Sequence, residues 1–191
     1  MTSSPVSSEH ILTADEFWEL PEPPQGGRTE LVAGRVVTEM PVGRLHAKLA
    51  ARLLRAIGDF VDQHRLGETH VELGHRTSRS PDSVRAPDVS FVAKDRLAGT
   101  ASDGFLEFAP TLAIEVISPG DREGDVAAKV EEYFDGGAER VWIVRPRNKT
   151  ITVHRPGGDA HTYTVRDTLS SDDAAFEVDG FELNLEQFFA D

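Results

Sequence analysis

The chain has 191 residues, 39% of them hydrophobic, which is enough to bury one sizeable core and short for two. Its formal charge of -13 argues against a surface that traps nucleic acid over its whole extent, because polyanion affinity comes largely from neutralised phosphates. There is no cysteine, so disulfides and thiolate metal sites are excluded, and no apolar run reaches the roughly 18 residues of a membrane span.

Residues 1–10 are Ser-rich and hold no hydrophobic stretch that could serve as an export signal. They read as a disordered tail ahead of a single domain over 11–191, with a cytoplasmic location expected. Thr13-Ala14-Asp15-Glu16 has capping-box spacing, and Leu12 and Phe17 stand where a hydrophobic staple needs them, so a short helix should begin there. The Pro- and Gly-rich stretch 21–27 ends it. Strands over 29–32 and 35–40 then flank Ala33-Gly34 as a hairpin, with Gly34 able to take the positive φ of the turn.

From Arg44 to His64, apolar residues recur at Leu45, Leu49, Leu53, Ile57 and Val61, joined by Leu54 and Phe60, while Arg52, Arg55, Asp59 and Asp62 lie elsewhere on the wheel. This spacing predicts a long core helix. Short β-branched runs at 84–93, 112–118, 140–145 and 150–154 read as strands, with a helix over 125–134 between the second and third. Alternation at Phe181, Leu183 and Leu185 predicts a last strand, and Phe188-Phe189 a docking turn. The order of elements implies an α/β fold, a central mixed sheet flanked by helices.

Two carboxylates interrupt runs that otherwise belong in a core. Glu115 is the one charged residue in 112–118, and Asp88 breaks Ala86-Pro87-Asp88-Val89-Ser90-Phe91-Val92. An acid buried in a sheet is costly unless a cation or a donor meets it, and two on neighbouring strands could hold a hard metal ion. Each also has a plain structural reading: Asp88 as a strand-edge acid after Pro87, Glu115 as the buried partner of an arginine. On the helix that follows, Asp125 and Tyr133 fall one turn to either side of Lys129. That lysine could reach the acids or pair with Asp125 at the surface. Tyr133 and Trp142 read as core aromatics holding this helix to the sheet.

The text Pro87-Asp88, then Glu115-Val116-Ile117-Ser118-Pro119, then Lys129 and Tyr133, then Gly137-Ala138-Glu139-Arg140-Val141-Trp142 resembles a large bacterial family of restriction-endonuclease-like proteins, the Uma type, within the PD-(D/E)XK nuclease superfamily. The likeness extends upstream through Glu30-Leu31-Val32-Ala33-Gly34 and His46, so it covers about residues 13–189. It implies a restriction-endonuclease-like fold, in which two acids bind divalent ions that polarise a phosphodiester and activate water. Carried over, Asp88, Glu115 and the Val116 carbonyl bind Mg2+ or Mn2+, and Glu30 resembles an additional acid near the metal, although an exposed strand residue before a hairpin turn is also commonly Glu for solubility alone. The superfamily's lysine, expected two residues after Glu115, is replaced by Ile117; the resemblance implies that Lys129 supplies the ammonium instead.

His46 matches a family position and could contact phosphate, or could simply pack at the helix start. Arg145 and Arg147 belong to the stretch 140–158, which carries five Lys or Arg and no acid, and are possible substrate contacts. The function expected is a metal-dependent endonuclease acting on nucleic acid, DNA before RNA, with a homodimer expected by analogy with nucleases that pair two sites. Two other readings stay open: a regulatory binding module that keeps the fold but cleaves little, and a phosphoester hydrolase for a small nucleotide.

Overall fold

In the computed structural model the described residues are 10–21, 23, 26–101 and 103–190, so most of the expected N-terminal tail lies outside them. Helix α1 (Ala14–Trp18) starts with both halves of the capping box: Thr13 Oγ1 accepts from the Glu16 N–H at 3.2 Å, and Glu16 Oε2 accepts from the Thr13 N–H at 2.9 Å. β1 (Arg28–Val32) and β2 (Arg35–Glu39) form the hairpin, with Ala33 and Gly34 both at positive φ. Gly34 has a second reason to be glycine, since a Cβ there would sit 2.0 Å from Ile11 Cγ2.

α2 (Arg44–His64) spans the interval its periodicity predicts and buries Leu49, Leu53, Ile57 and Val61. Leu45, at the same spacing, is 51% exposed. After α2 come β3 (Gly67–His70), β4 (His75–Ser78), β5 (Ser83–Arg85) and β6 (Val89–Ala93). The single strand expected over 84–93 is therefore two, in different sheets. Pro87 has no N–H to give a ladder and restricts the residue before it, so the chain changes sheet at Ala86-Pro87-Asp88.

β7 (Leu112–Val116), α3 (Glu123–Asp135), β8 (Arg140–Arg145) and β9 (Thr150–His154) follow, then β10 (Ala160–Tyr163), β11 (Thr168–Ser170), β12 (Glu182–Asn184) and α4 (Leu185–Phe188). Leu185, expected to close the last strand, instead opens α4, where Asn184 caps by accepting from the Gln187 N–H. Strands β3, β4, β10 and β11 carry polar or short sequences that periodicity does not mark.

The main sheet has six strands in the order β10-β9-β8-β7-β6-β3, with β7 and β8 parallel and the other neighbours antiparallel. Alternation sorts its side chains onto two faces. Leu112, Ile114, Trp142 and Val144 pack with the apolar stripe of α2, whereas Ala113, Val141 and Ile143 pack with Val126, Val130 and Tyr133 of α3. Trp142 thus sits on the α2 side, donating from Nε1 to the Asp173 carbonyl at 2.7 Å, and does not hold the lysine helix as expected. A second sheet, β2-β1-β5-β4, is backed by α1 through Ala14, Phe17, Leu31 and Val84. Among the described residues, no helix is long and apolar enough to cross a membrane.

Candidate active site

The last pair of the ladder is Val89 with Ile114, which leaves Asp88, just ahead of β6, beside the Glu115-Val116 end of β7. Alternation along β7 puts Glu115 on the face that α3 covers, where Tyr133 and Lys129 meet it. Both acids are recessed, with 4% and 7% of their side chains exposed. Asp88 Oδ2 accepts from the Val116 N–H at 2.8 Å, and Oδ1 accepts from Arg28 Nη1 and His46 Nε2, each at 3.1 Å. Burial works against its ionisation, but the His46 hydrogen bond and charge, the Val116 N–H and Arg28 outweigh it and hold the carboxyl below the ordinary range.

Glu115 goes the other way. Burial pushes its carboxyl up to about 7; Lys129 opposes the rise, Asp88 and Glu30 add to it, and a hydrogen bond from the Tyr133 hydroxyl at 2.7 Å pulls back slightly. Tyr133, expected as core support, is fully buried and is also a direct donor to the acid.

α3 carries Lys129 over the same face. Its Nζ is 2.9 Å from Glu39, 3.3 Å from Glu30 and 3.7 Å from Glu115, so it turns to the acids and not to Asp125. Burial disfavours its charge, yet the carboxylates of Glu115, Glu30 and Glu39 more than restore it and raise its pKa. Glu30 is buried: Arg85 Nη1 donates to it at 2.9 Å and the Ala86 N–H at 3.1 Å, while Glu132 holds the rest of the Arg85 fork at 2.6 Å. A bidentate fork of this kind fixes the guanidinium and, through it, Glu30.

Sequence reasoning missed Arg28, Glu39 and Arg85. Arg28 and Glu39 face each other across the hairpin, joined by a hydrogen bond from Arg28 Nε at 3.0 Å. Their equal distance from the Ala33-Gly34 turn is the signal that could have found them, since opposed Arg and Glu are a favoured cross-strand pair. Burial works against the Arg28 charge, but Glu39, Asp88 and Glu115 more than sustain it. Arg85 has no comparable marker, because its partners lie 47 and 55 residues away.

Asp88, Glu115, Val116, Lys129 and Glu30 are therefore brought together, and His46 joins them through Asp88. His46 Nδ1 lies 3.2 Å from Ser118 Oγ, so both ring nitrogens have partners. Arg145 and Arg147 stand apart, on the wall of a cleft of about 470 Å³ that also includes His46. A larger cavity, about 680 Å³, lies between α1 and the segment after β6 and touches none of these residues.

Among the described residues, no three His, Asp or Glu side chains form a ready metal cage. The set offered by Asp88, Glu115 and a peptide carbonyl suits Mg2+, which keeps several waters and is commonly held by one or two carboxylates together with substrate phosphate. The donors are all hard oxygens, and the chemistry fits.

A family model, Uma2, "Putative restriction endonuclease", matches residues 14–188. The chain belongs to this family. Its Uma2 match spans the six-stranded and four-stranded sheets and every residue of the acidic cluster. Among solved structures, a "putative nuclease belonging to DUF820" from Anabaena variabilis is similar over 93% of this chain and 97% of its own, with a TM-score of 0.75 and 23% identity. That likeness establishes the restriction-endonuclease-like fold. No curated protein matches the Uma2 chain.

Proposed function

We propose that this Uma2 protein is a divalent-metal-dependent endonuclease that hydrolyses phosphodiester bonds in nucleic acid, DNA in the first place, by direct attack of water. The observation that supports it is the gathering of Asp88, Glu115 and Lys129, distant in sequence, in one charged cluster, with Asp88 on the Val116 N–H next to Glu115 and Lys129 3.7 Å from Glu115. Asp88, Glu115 and the Val116 carbonyl would hold Mg2+ or Mn2+, which when bound supplies Lewis-acid polarisation of the phosphodiester and a more acidic water.

The chain's own groups divide the remaining work. Lys129 Nζ, held among Glu39, Glu30 and Glu115, is placed to serve as a positive charge for the developing phosphorane oxygens. Glu30, clamped by Arg85, and Glu39 aim that ammonium. Tyr133 orients Glu115 and His46 orients Asp88, each through one hydrogen bond. The reading carries a cytoplasmic location with it, where the DNA would be met.

A second reading has its own support. Arg28 and Lys129 already neutralise much of the acidic cluster, so the same residues could form a finished structural network in a module that binds and does not cut. Incubating supercoiled and single-stranded DNA with the protein in Mg2+ or Mn2+, beside folded Asp88→Ala and Lys129→Ala, separates the two. The endonuclease predicts cleavage lost in both variants; cleavage that survives both, or none in the wild type, rules it out.

A further inference from the structure

We infer that the cleft beside the acids is a seat for an unpaired nucleotide, so that the substrate is single-stranded or frayed nucleic acid and not the interior of a duplex. The inference rests on the nuclease reading and names its substrate class.

The cleft, about 470 Å³, lies between the first turn of α2, the segment after β7 and the turn joining β8 to β9. Ligand sites of single small molecules begin at roughly 300 Å³, so one nucleotide fits and a double helix does not. Its walls combine two chemistries. Leu45, Ile117 and Pro146 offer apolar surface for a base; Arg44 and Arg147 offer cations for phosphate.

Three facts set this cleft apart from ordinary surface. Leu45 continues the buried i, i+4 stripe of α2 but is 51% exposed, and it lines the cleft. Among the described residues, Arg44 and Arg147 have neither an ion pair nor a hydrogen bond, although the chain as a whole carries -13. Of the acids in the wall, Glu123 is paired with Arg145 at 2.7 Å, and Asp121 stands against both Arg44 and Arg147, so the balance of charge in the cleft is positive.

The cleft meets the catalytic cluster at His46, which lines it and donates to Asp88. Asp88 and Glu115 are recessed, and a duplex cannot bring its backbone into such a depression without being bent, at a cost in elastic energy. A single strand can, with its base against Leu45 and its flanking phosphates on Arg44 and Arg147.

Fluorescence anisotropy of a labelled oligo-dT strand and of a duplex of equal length, both without divalent ions, tests this apart from catalysis. The strand should bind the wild type at least tenfold more tightly than the duplex. Arg44→Ala/Arg147→Ala should weaken strand binding and lower the log–log salt slope by about 1.4, at roughly 0.7 per phosphate contact on a single strand. Leu45→Gln should cost about threefold, from leaving half a leucine side chain in water. All three sites are exposed, and an unchanged Tm confirms the fold of each variant. Equal binding of strand and duplex, no binding of either, or indifference to the double substitution overturns the inference. Asp88-dependent cleavage together with that indifference removes the cleft and leaves the nuclease; tight strand binding without any cleavage removes the nuclease and leaves the cleft.

Discussion

Lys129→Met preserves the length of the side chain and removes only the ammonium that lies 2.9 Å from Glu39, 3.3 Å from Glu30 and 3.7 Å from Glu115. The lysine side chain is 16% exposed and that of Glu30 is 0%, so water cannot take the lost partner's place. Stripping one member from a buried ion pair costs about 3–5 kcal/mol. Arg85 still serves Glu30 and Arg28 still serves Glu39, which sets the expectation at the lower end, about 3 kcal/mol.

Glu115 bears the rest of the change. Burial already lifts its carboxyl to about 7, and Lys129 is the principal opposing charge, so the substitution lifts it further. A carboxyl raised in the fold favours folding below its unfolded value and loses that contribution as pH rises through the folded one. The penalty in Lys129→Met should therefore be largest near pH 9 and shrink toward pH 6. Urea denaturation of both proteins at the two pH values, followed by tryptophan fluorescence, measures it. A penalty below about 1 kcal/mol, the size of an exposed pair, would refute the reasoning, as would one that grows as pH falls.

Burial pushes the His75 imidazole down to about 3 from an ordinary 6.5, so the fold excludes a proton that the unfolded chain binds. Stability should be full above pH 6.5 and fall below it by nearly 1.4 kcal/mol per unit, about 2 kcal/mol by pH 5; His75→Asn should lack this component, and equal pH sensitivity in the two proteins would count against it. Burial opposes ionisation of Asp173, but hydrogen bonds from Tyr163, Ser170 and Arg155 prevail and lower its pKa. Its contribution is present above the unfolded value near 3.9 and is lost as pH drops through the folded one, so Asp173→Asn should lose stability at pH 7 and show a flatter acid limb in denaturation than the wild type. Tyr133→Phe keeps the ring and leaves Glu115 Oε1 without its donor, a loss of about 1–3 kcal/mol in the same assay; an unchanged midpoint would mean that the hydroxyl bond carries no net weight.

Much of the local architecture was legible because its causes are local. The i, i+4 stripe of α2, the capping box of α1 and the hairpin turn each depend on residues within a few positions of one another. The two acids stood out for a similar reason, as charges inside apolar runs. The short strands β3, β4 and β10 gave no such signal, because their place in a sheet is fixed by partners and not by their own alternation. The same limit explains the strand expected over 84–93. Its β-branched residues are right for strands on both sides of Pro87, and only the pairing partners reveal that the sides belong to different sheets.

The candidate site divides along the same line. By itself the sequence determined which side chains are costly to bury, Asp88 and Glu115, and which helix face carries Lys129. Only the tertiary structure decided that Lys129 meets Glu39 across 90 residues, that Arg28 closes on Asp88 across 60 and that Leu45 is left open to a cleft. The physical reason is range: helix period and turn geometry are set by neighbouring atoms, whereas the pairing of charges and the exposure of a surface depend on which distant segments the sheets bring together.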